Sequence, residues 1–114
     1  MASIAFALPI IPGKEETDRA AFERFVSAQE SEAFAAWNRS HGISRHMVWH
    51  QKTPNGTMAI VMLEADDIGA ALGAIGTAQS PLDQRFRDLV KDVHGVDLAK
   101  DPGPEVVPVL DWQS

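Results

Sequence analysis

Apolar residues recur at every second position in three stretches of this chain, which is the period of a β-strand. The stretches run from Ser3 to Ile10, from Ile43 to Lys52 and from Thr57 to Glu64. The second and third are joined by Thr53-Pro54-Asn55-Gly56, and Asn-Gly between two apolar runs is a strong hairpin signal. The pattern therefore predicts one strand followed, after a longer segment, by a hairpin.

A helical period replaces the strand period between Glu15 and His41. The polar stretch from Ser27 to Ser31 interrupts the apolar stripe of this segment. We therefore predict either one long bent helix or two short ones, with Gly42 as the C-terminal stop. The stripe consists of Ala21, Phe22, Phe25, Val26, Ala33, Phe34 and Trp37.

Two further helices are predicted after the hairpin. Asp66 is placed to cap a short helix, which two internal glycines weaken. A longer helix begins at Ser80, because a capping serine is followed by Pro81 in the first turn and by the carboxylate of Asp83. Gly95 is expected to end it.

The element order β-α-β-β-α-α-β predicts one α+β domain over residues 1–114, of the ferredoxin-like, split βαβ type. Val106 to Trp112 is its predicted fourth strand, and Pro108 places that strand at an edge because proline cannot donate to a ladder. The expected sheet is antiparallel and four-stranded, in the order 4-1-3-2. Right-handed crossovers place the helices on one face of it.

The predicted sheet is apolar on both faces. If the uncovered face stayed exposed, the fold would lose roughly 1.5–3 kcal/mol of burial free energy for each large side chain. The whole domain is stable by only about 5–15 kcal/mol. A second copy of the chain is the simplest cover, so we expect a homodimer. In the third strand alone, Met58, Ile60 and Met62 point one way and Ala59, Val61 and Leu63 the other.

Charge and composition narrow the range of partners. The net charge of −6 disfavours nucleic acid and anionic membranes, and the lack of cysteine excludes disulfides and thiolate metal sites. The apolar start, Met1 to Ile11, has no basic segment before it and is too short to span a bilayer. It is predicted as a strand rather than a signal peptide, and we expect a cytoplasmic protein.

In element order, length, hairpin and doubly apolar sheet, the chain resembles the dimeric α/β-barrel superfamily. This superfamily includes antibiotic-biosynthesis monooxygenases and stress-responsive barrel proteins. The resemblance covers nearly the whole chain and implies two sheets closed face to face around a cavity. Activities in the superfamily range from cofactor-free oxygenation through haem degradation to no known chemistry, so the fold leaves the function open.

The catalytic patterns of that superfamily are incomplete in this chain. The cofactor-free oxygenases combine asparagine, tryptophan and often tyrosine in the cavity, but this chain has no tyrosine, and Asn38 and Asn55 fall at a helix end and in a turn. Haem-degrading members place a strand asparagine near a haem-ligating helical histidine. His94 is helical here, but the strand asparagine is missing. We therefore predict no cofactor and assign no catalytic residue.

Two histidines share one face of the second predicted strand, where His46, Val48 and His50 alternate with Met47 and Trp49. Four residues of strand separate the histidines by roughly 13 Å, whereas two ligands of one zinc ion must each reach it at about 2.0 Å. No metal site is predicted. We expect Met47 and Trp49 on the drier, helix-covered face and the histidines on the other.

The candidate ligand-binding residues are His46, His50 and Trp49, with Phe6 and Phe86 as aromatic neighbours. A cavity histidine suits acid–base chemistry, but an edge-strand histidine can equally contact solvent or the partner subunit. His41 and His94 each precede a glycine at a helix end, and both are interpreted as capping residues.

Two interpretations of function remain open. The first is a dimer that binds a small apolar or aromatic ligand, with oxygenase or isomerase activity in its range. The second is a non-catalytic structural or interaction module, whose apolar sheet face serves dimerisation alone. A cavity of roughly 300 Å³ or more, with converging polar groups, would favour the first.

Overall fold

A computed structural model describes residues 2–101 and 105–114 of the chain. Three strands and four helices form its secondary structure in the described residues, which confirms the α+β class. They are β1 (Ala2–Pro9), α1 (Glu15–Phe25), α2 (Ser31–Ser40), β2 (Ile43–Thr53), β3 (Gly56–Ala65), α3 (Ile68–Thr77) and α4 (Pro81–His94).

The strands form one antiparallel sheet in the order β1-β3-β2, as predicted for these three. Val61 in the central strand lies opposite both Phe6 and Val48. The hairpin pairs Thr53 with Gly56, whose φ of +125° lies in the region that favours glycine. Phe6, Val48 and Val61 therefore point to the same face of the sheet.

The predicted fourth strand is not present, so the observed sheet is three-stranded. Residues 105–114 form no strand, and the apolar side chains of this segment face water: Val109 is 97% exposed and Trp112 75%. Pro108 cannot donate to a ladder, and the segment buries too little surface against its own chain to offset the entropy of ordering. The outer edge of β1 is open in consequence. The loop predicted at residues 101–104 lies outside the described residues from 102 onward.

The helical segment after β1 consists of two short helices rather than one bent helix. Val26 ends α1, and the Ser27 hydroxyl donates to the Arg24 carbonyl at 2.7 Å, which satisfies an orphan acceptor at the helix end. The cap of α3 is Asp67, which accepts from the Ala70 N–H at 3.0 Å, and not Asp66 as expected.

The capping box of α4 is confirmed. The Ser80 hydroxyl accepts from the Asp83 N–H, and the Asp83 carboxylate accepts from the Ser80 N–H. Gly95 ends the helix in the left-handed conformation, with φ of +72°. This fixed start holds Asp83 where it meets two side chains of the α2 region, described below.

The hydrophobic core lies between the helices and one face of the sheet, the inner face. Side chains from all three strands and all four helices contribute to it or pack against it. Its largest buried cluster consists of Phe25, Trp37, Ile43, Leu63, Ala65, Ala71, Ile75, Phe86 and Val90.

The opposite face of the sheet, called the outer face below, carries no helix and belongs to neither core cluster. Met47 pairs with Met62 there, and Trp49 pairs with Ile60. Trp49 is 47% exposed. A second apolar surface is thus left open in the single chain.

Candidate functional site

A cavity of about 130 Å³ lies between the inner face of the sheet and the helices. Its wall is mostly aliphatic and aromatic, with Phe6 from β1, Val61 from β3 and Phe86 from α4 among the contributors. The ionisable residues among its described lining are Asp18, His46, His94 and Asp101. An apolar space with a few polar groups at its wall is the usual form of a small-molecule site.

A wider cleft of about 500 Å³ adjoins this cavity between α1 and β2. Phe22, His46 and Val48 line both spaces, so these three side chains form the wall that separates them. The cavity and the cleft together are called the candidate site below.

His46 is fixed in this shared wall by one hydrogen bond. Its Nδ1 lies 3.0 Å from Oδ1 of Asn38, which is in the last turn of α2. The Asn38 amide nitrogen donates to the Phe34 carbonyl at 2.9 Å, so Asn38 Oδ1 is the acceptor and His46 Nδ1 carries the proton. Burial lowers the pKa of His46 to about 4, and the imidazole is therefore neutral at physiological pH.

Three phenylalanine rings surround the His46 imidazole. The ring centroids of Phe22, Phe34 and Phe86 lie 6.4, 5.9 and 6.0 Å from its own. These contacts come from α1, α2 and α4. The three helices therefore hold the ring in place from different sides, and its orientation is set before any ligand enters.

A second polar pair links the cavity to the cleft. His50 Nε2 donates to Asp18 Oδ2 at 2.7 Å, and Asp18 is only 2% exposed. Asp18 lines the cavity, whereas His50 lines the cleft. A buried carboxylate requires such a partner, because desolvation without one is strongly unfavourable.

The expected orientation of the second strand is wrong. His46 and His50 point to the inner face, towards the helices, and Met47 and Trp49 point to the outer face. The helix-covered face tolerates the imidazoles because α1 and α2 supply hydrogen-bond partners for both rings. Met47 and Trp49 therefore lie on the outer face, which no helix covers.

The structure brings four of the five predicted site residues to the candidate site. Phe6 and Phe86 line the cavity, His46 lines both spaces, and His50 lines the cleft. Trp49 lies on the opposite face of the sheet and takes no part in either space.

His41 is the C-cap residue of α2 through its backbone N–H, but the imidazoles of both histidines interpreted as caps make tertiary contacts. His41 Nε2 donates to Asp83 Oδ1 at 2.7 Å, and His94 Nδ1 donates to the Pro9 carbonyl at 2.8 Å. Trp37 Nε1 also donates to Asp83 Oδ1 at 2.7 Å. Burial alone would raise the pKa of Asp83, but the hydrogen bonds from Ser80, Trp37 and His41 outweigh it and hold that pKa well below its usual range.

Sequence reasoning missed three residues of the site: Asp18, Phe22 and Asn38. Asp18 looked like an ordinary first-turn carboxylate, Phe22 like a core position, and Asn38 like a helix-end residue. Their spacing to the histidines in the sequence carries no signal, because only the packing of α1 and α2 on β2 brings them together. The one signal in the sequence is that Asp18 and Asn38 are polar residues on the apolar stripes of their helices.

Among residues 2–101 and 105–114, no three histidine or acidic side chains come together in a way that could hold a metal ion. Nor does any helix in this part of the chain have the length and hydropathy needed to cross a lipid bilayer. Comparison of the chain with protein-family models, with curated proteins and with solved structures finds no match.

Proposed function

We propose that the protein binds a small apolar or aromatic molecule in the candidate site. The observation that supports this most directly is the free ring nitrogen of His46. Nδ1 is occupied by Asn38, and Nε2 has no hydrogen-bond partner in the described residues. An imidazole that is held in place in an apolar wall and has one nitrogen without a hydrogen-bond partner is suited to orient a ligand.

The Nε2 atom must border open space. No enclosed side-chain nitrogen or oxygen lacks a partner in the part of the chain described. Because Nε2 has none, it is accessible from one of the spaces that His46 lines, which are the cavity, the cleft and a hollow of about 310 Å³ beside α2. A ligand in that space can therefore reach it.

Acid–base chemistry on the bound ligand is the reaction class that this arrangement supports. A neutral imidazole can accept a proton at Nε2 while Asn38 stabilises the ring through Nδ1–H. Proton abstraction of this kind begins both isomerisation and cofactor-free oxygenation, the two activities considered for this fold. The low pKa of His46 makes it a weak base, so a substrate would need an acidic proton.

The outer face supports a homodimer. It presents Met47, Trp49, Ile60 and Met62 without a covering element. The exposed apolar segment at residues 106–112 adds surface of the same kind. A second copy of the chain carries the same apolar outer face, and two-fold pairing of the sheets would bury that face in both copies.

A non-catalytic module is the alternative function. It is favoured by the modest size of the cavity, because about 130 Å³ is below the roughly 300 Å³ typical of ligand pockets. In that case the candidate site is a packing defect, and the outer face is the functional surface.

A ligand screen followed by thermal shift separates the two proposals. Binding in the candidate site predicts compounds that raise the melting temperature of the parent protein but raise it less in His46→Ala and His50→Ala. Gln51→Ala is the matched control, since Gln51 is exposed on the outer face of the same strand. A compound that shifts all four proteins equally would remove the histidines from the site. A dimer that binds no compound favours the module.

A further inference from the structure

We infer that the cavity of the candidate site selects neutral ligands in which an apolar ring carries a hydrogen-bond donor, such as a hydroxyl or an N–H group. This inference rests on the proposed binding function and specifies its ligand class. It follows from the direction of the hydrogen bonds around His46, from the size of the cavity and from the charges on its wall.

The hydrogen-bond chain to His46 leaves Nε2 as a hydrogen-bond acceptor in the wall that the cavity and the cleft share. The Phe34 carbonyl can only accept, so it takes a proton from the Asn38 amide nitrogen. Asn38 Oδ1 must then accept from His46 Nδ1. In a neutral imidazole the other nitrogen has a lone pair and no proton, so Nε2 accepts a hydrogen bond and cannot donate one.

The surroundings of His46 keep the ring neutral. Its neighbours are three phenylalanine rings and an amide, and the nearby carboxylate of Asp18 is paired with His50 instead. Burial in this setting penalises the charged form. A ligand carbonyl or ether would therefore face a lone pair at Nε2, with no proton to bind.

The size of the cavity fits a single six-membered ring. An apolar cavity of about 150 Å³ is known to accept benzene, and the cavity here measures about 130 Å³. A larger ligand would have to extend into the cleft past Phe22, His46 and Val48. The ring itself gains its free energy of binding from burial against aliphatic and aromatic side chains.

Charge on the cavity wall disfavours anionic ligands. No lysine or arginine is among the described residues that line the cavity. Two carboxylates, Asp18 and Asp101, do line it. A ligand carboxylate or phosphate would enter without a cation to pair with, which is strongly unfavourable in an apolar space. In the cavity, neutral donors are thus preferred over both neutral acceptors and anions, whereas the cleft is lined by the cations Arg19 and Lys52.

Matched pairs of small probes test this selection. We would titrate phenol against toluene, which have equal numbers of heavy atoms, and cyclohexanol against cyclohexanone, which differ in donor capacity. Each titration is followed by thermal shift and by backbone NMR. In the parent protein the donor of each pair should bind roughly five- to tenfold more tightly, the effect of one net hydrogen bond. In His46→Phe, which keeps an aromatic ring among the three phenylalanines, this preference should disappear while toluene still binds.

The outcomes separate this inference from the proposed function. If both members of each pair bind equally, the donor selection is wrong and the binding site stands. If none of the four probes binds, the proposed function itself is wrong. If His46→Phe keeps the donor preference, another group provides the acceptor and the inference is overturned.

A measurement on the parent protein keeps the test independent of the variant. Long-range nitrogen-15 NMR of the imidazole should show the His46 proton on Nδ1 and a change at Nε2 when phenol is added. A proton found on Nε2, or an Nε2 signal that phenol leaves unchanged, would contradict the assignment even if His46→Phe does not fold.

Discussion

His50 Nε2 and Asp18 Oδ2 lie 2.7 Å apart and connect the edge strand β2 to the first turn of α1. Asp18 has 2% of its surface exposed, and its carboxylate accepts a hydrogen bond from the His50 side chain. The pair forms part of the boundary between the cavity and the cleft. Its loss should affect both stability and the shape of the candidate site.

The replacement His50→Ala is expected to lower the free energy of unfolding by about 3 kcal/mol, because it leaves the Asp18 carboxylate buried without a partner. Urea denaturation measures this. Glu16→Ala is the control: it breaks the exposed ion pair with Arg19 and should cost less than about 1 kcal/mol. If the two variants lost equal free energies of unfolding, the Asp18–His50 hydrogen bond would contribute no more to stability than an exposed ion pair.

The buried His46 should make stability depend on pH between about 6.5 and 4. Burial lowers its folded-state pKa to about 4, so in this range the unfolded chain binds a proton that the folded chain does not. Stability is then highest above pH 6.5 and falls as the pH drops, by at most about 3 kcal/mol for a shift of this size. Urea denaturation across this range, on the parent and on His46→Phe, gives the comparison. A pH dependence that is the same in both proteins would assign it to other groups.

A charge on the outer face should disrupt the proposed homodimer. Ile60 points to that face, whereas its neighbour Val61 points into the cavity, so Ile60→Asp is the informative change. Light scattering at micromolar concentration should give about twice the 12.4 kDa chain mass for the parent and a monomer or an unfolded chain for the variant. Ala36→Asp, on an exposed position of α2, should remain a dimer. A stable monomeric parent would refute the burial argument.

Removing the Asp83 carboxylate should destabilise the contact between α2 and α4. Asp83→Ala deprives Ser80, Trp37 and His41 of a shared acceptor, and we expect a loss of about 3 kcal/mol. Asp88→Ala, on the exposed side of the same helix, is the matched control with an expected effect within about 0.5 kcal/mol. Urea denaturation measures both variants, and an unfolding midpoint of Asp83→Ala equal to that of the control would contradict the role of Asp83.

The three strands and the two-sided apolar character of the sheet could be predicted from extended apolar runs, and the hairpin from Asn55-Gly56 between two of them. Alternation could not decide which face the helices cover. His46 and His50 are polar, and their burial depends on Asn38 and Asp18, which the sequence places 8 and 32 residues away.

The C-terminal segment has the sequence pattern of a strand but does not form one. Val107 and Val109 have strand-like character, but a strand exists only where another strand accepts its hydrogen bonds. In the single chain no such pairing occurs at residues 105–114. The local pattern was sufficient to predict an extended apolar segment, and insufficient to predict its partner.

The order of the strands in the sheet has a consequence for how the chain folds. Thr53 pairs with Gly56 across a two-residue turn. Pro9 pairs with Met58, and the chain between these two residues contains α1, α2 and β2. The hairpin therefore closes at little entropic cost, and the docking of β1 closes the longest loop of the sheet. Since β1 supplies Phe6 to the wall of the cavity, we expect the binding space to be completed only when this long loop has closed.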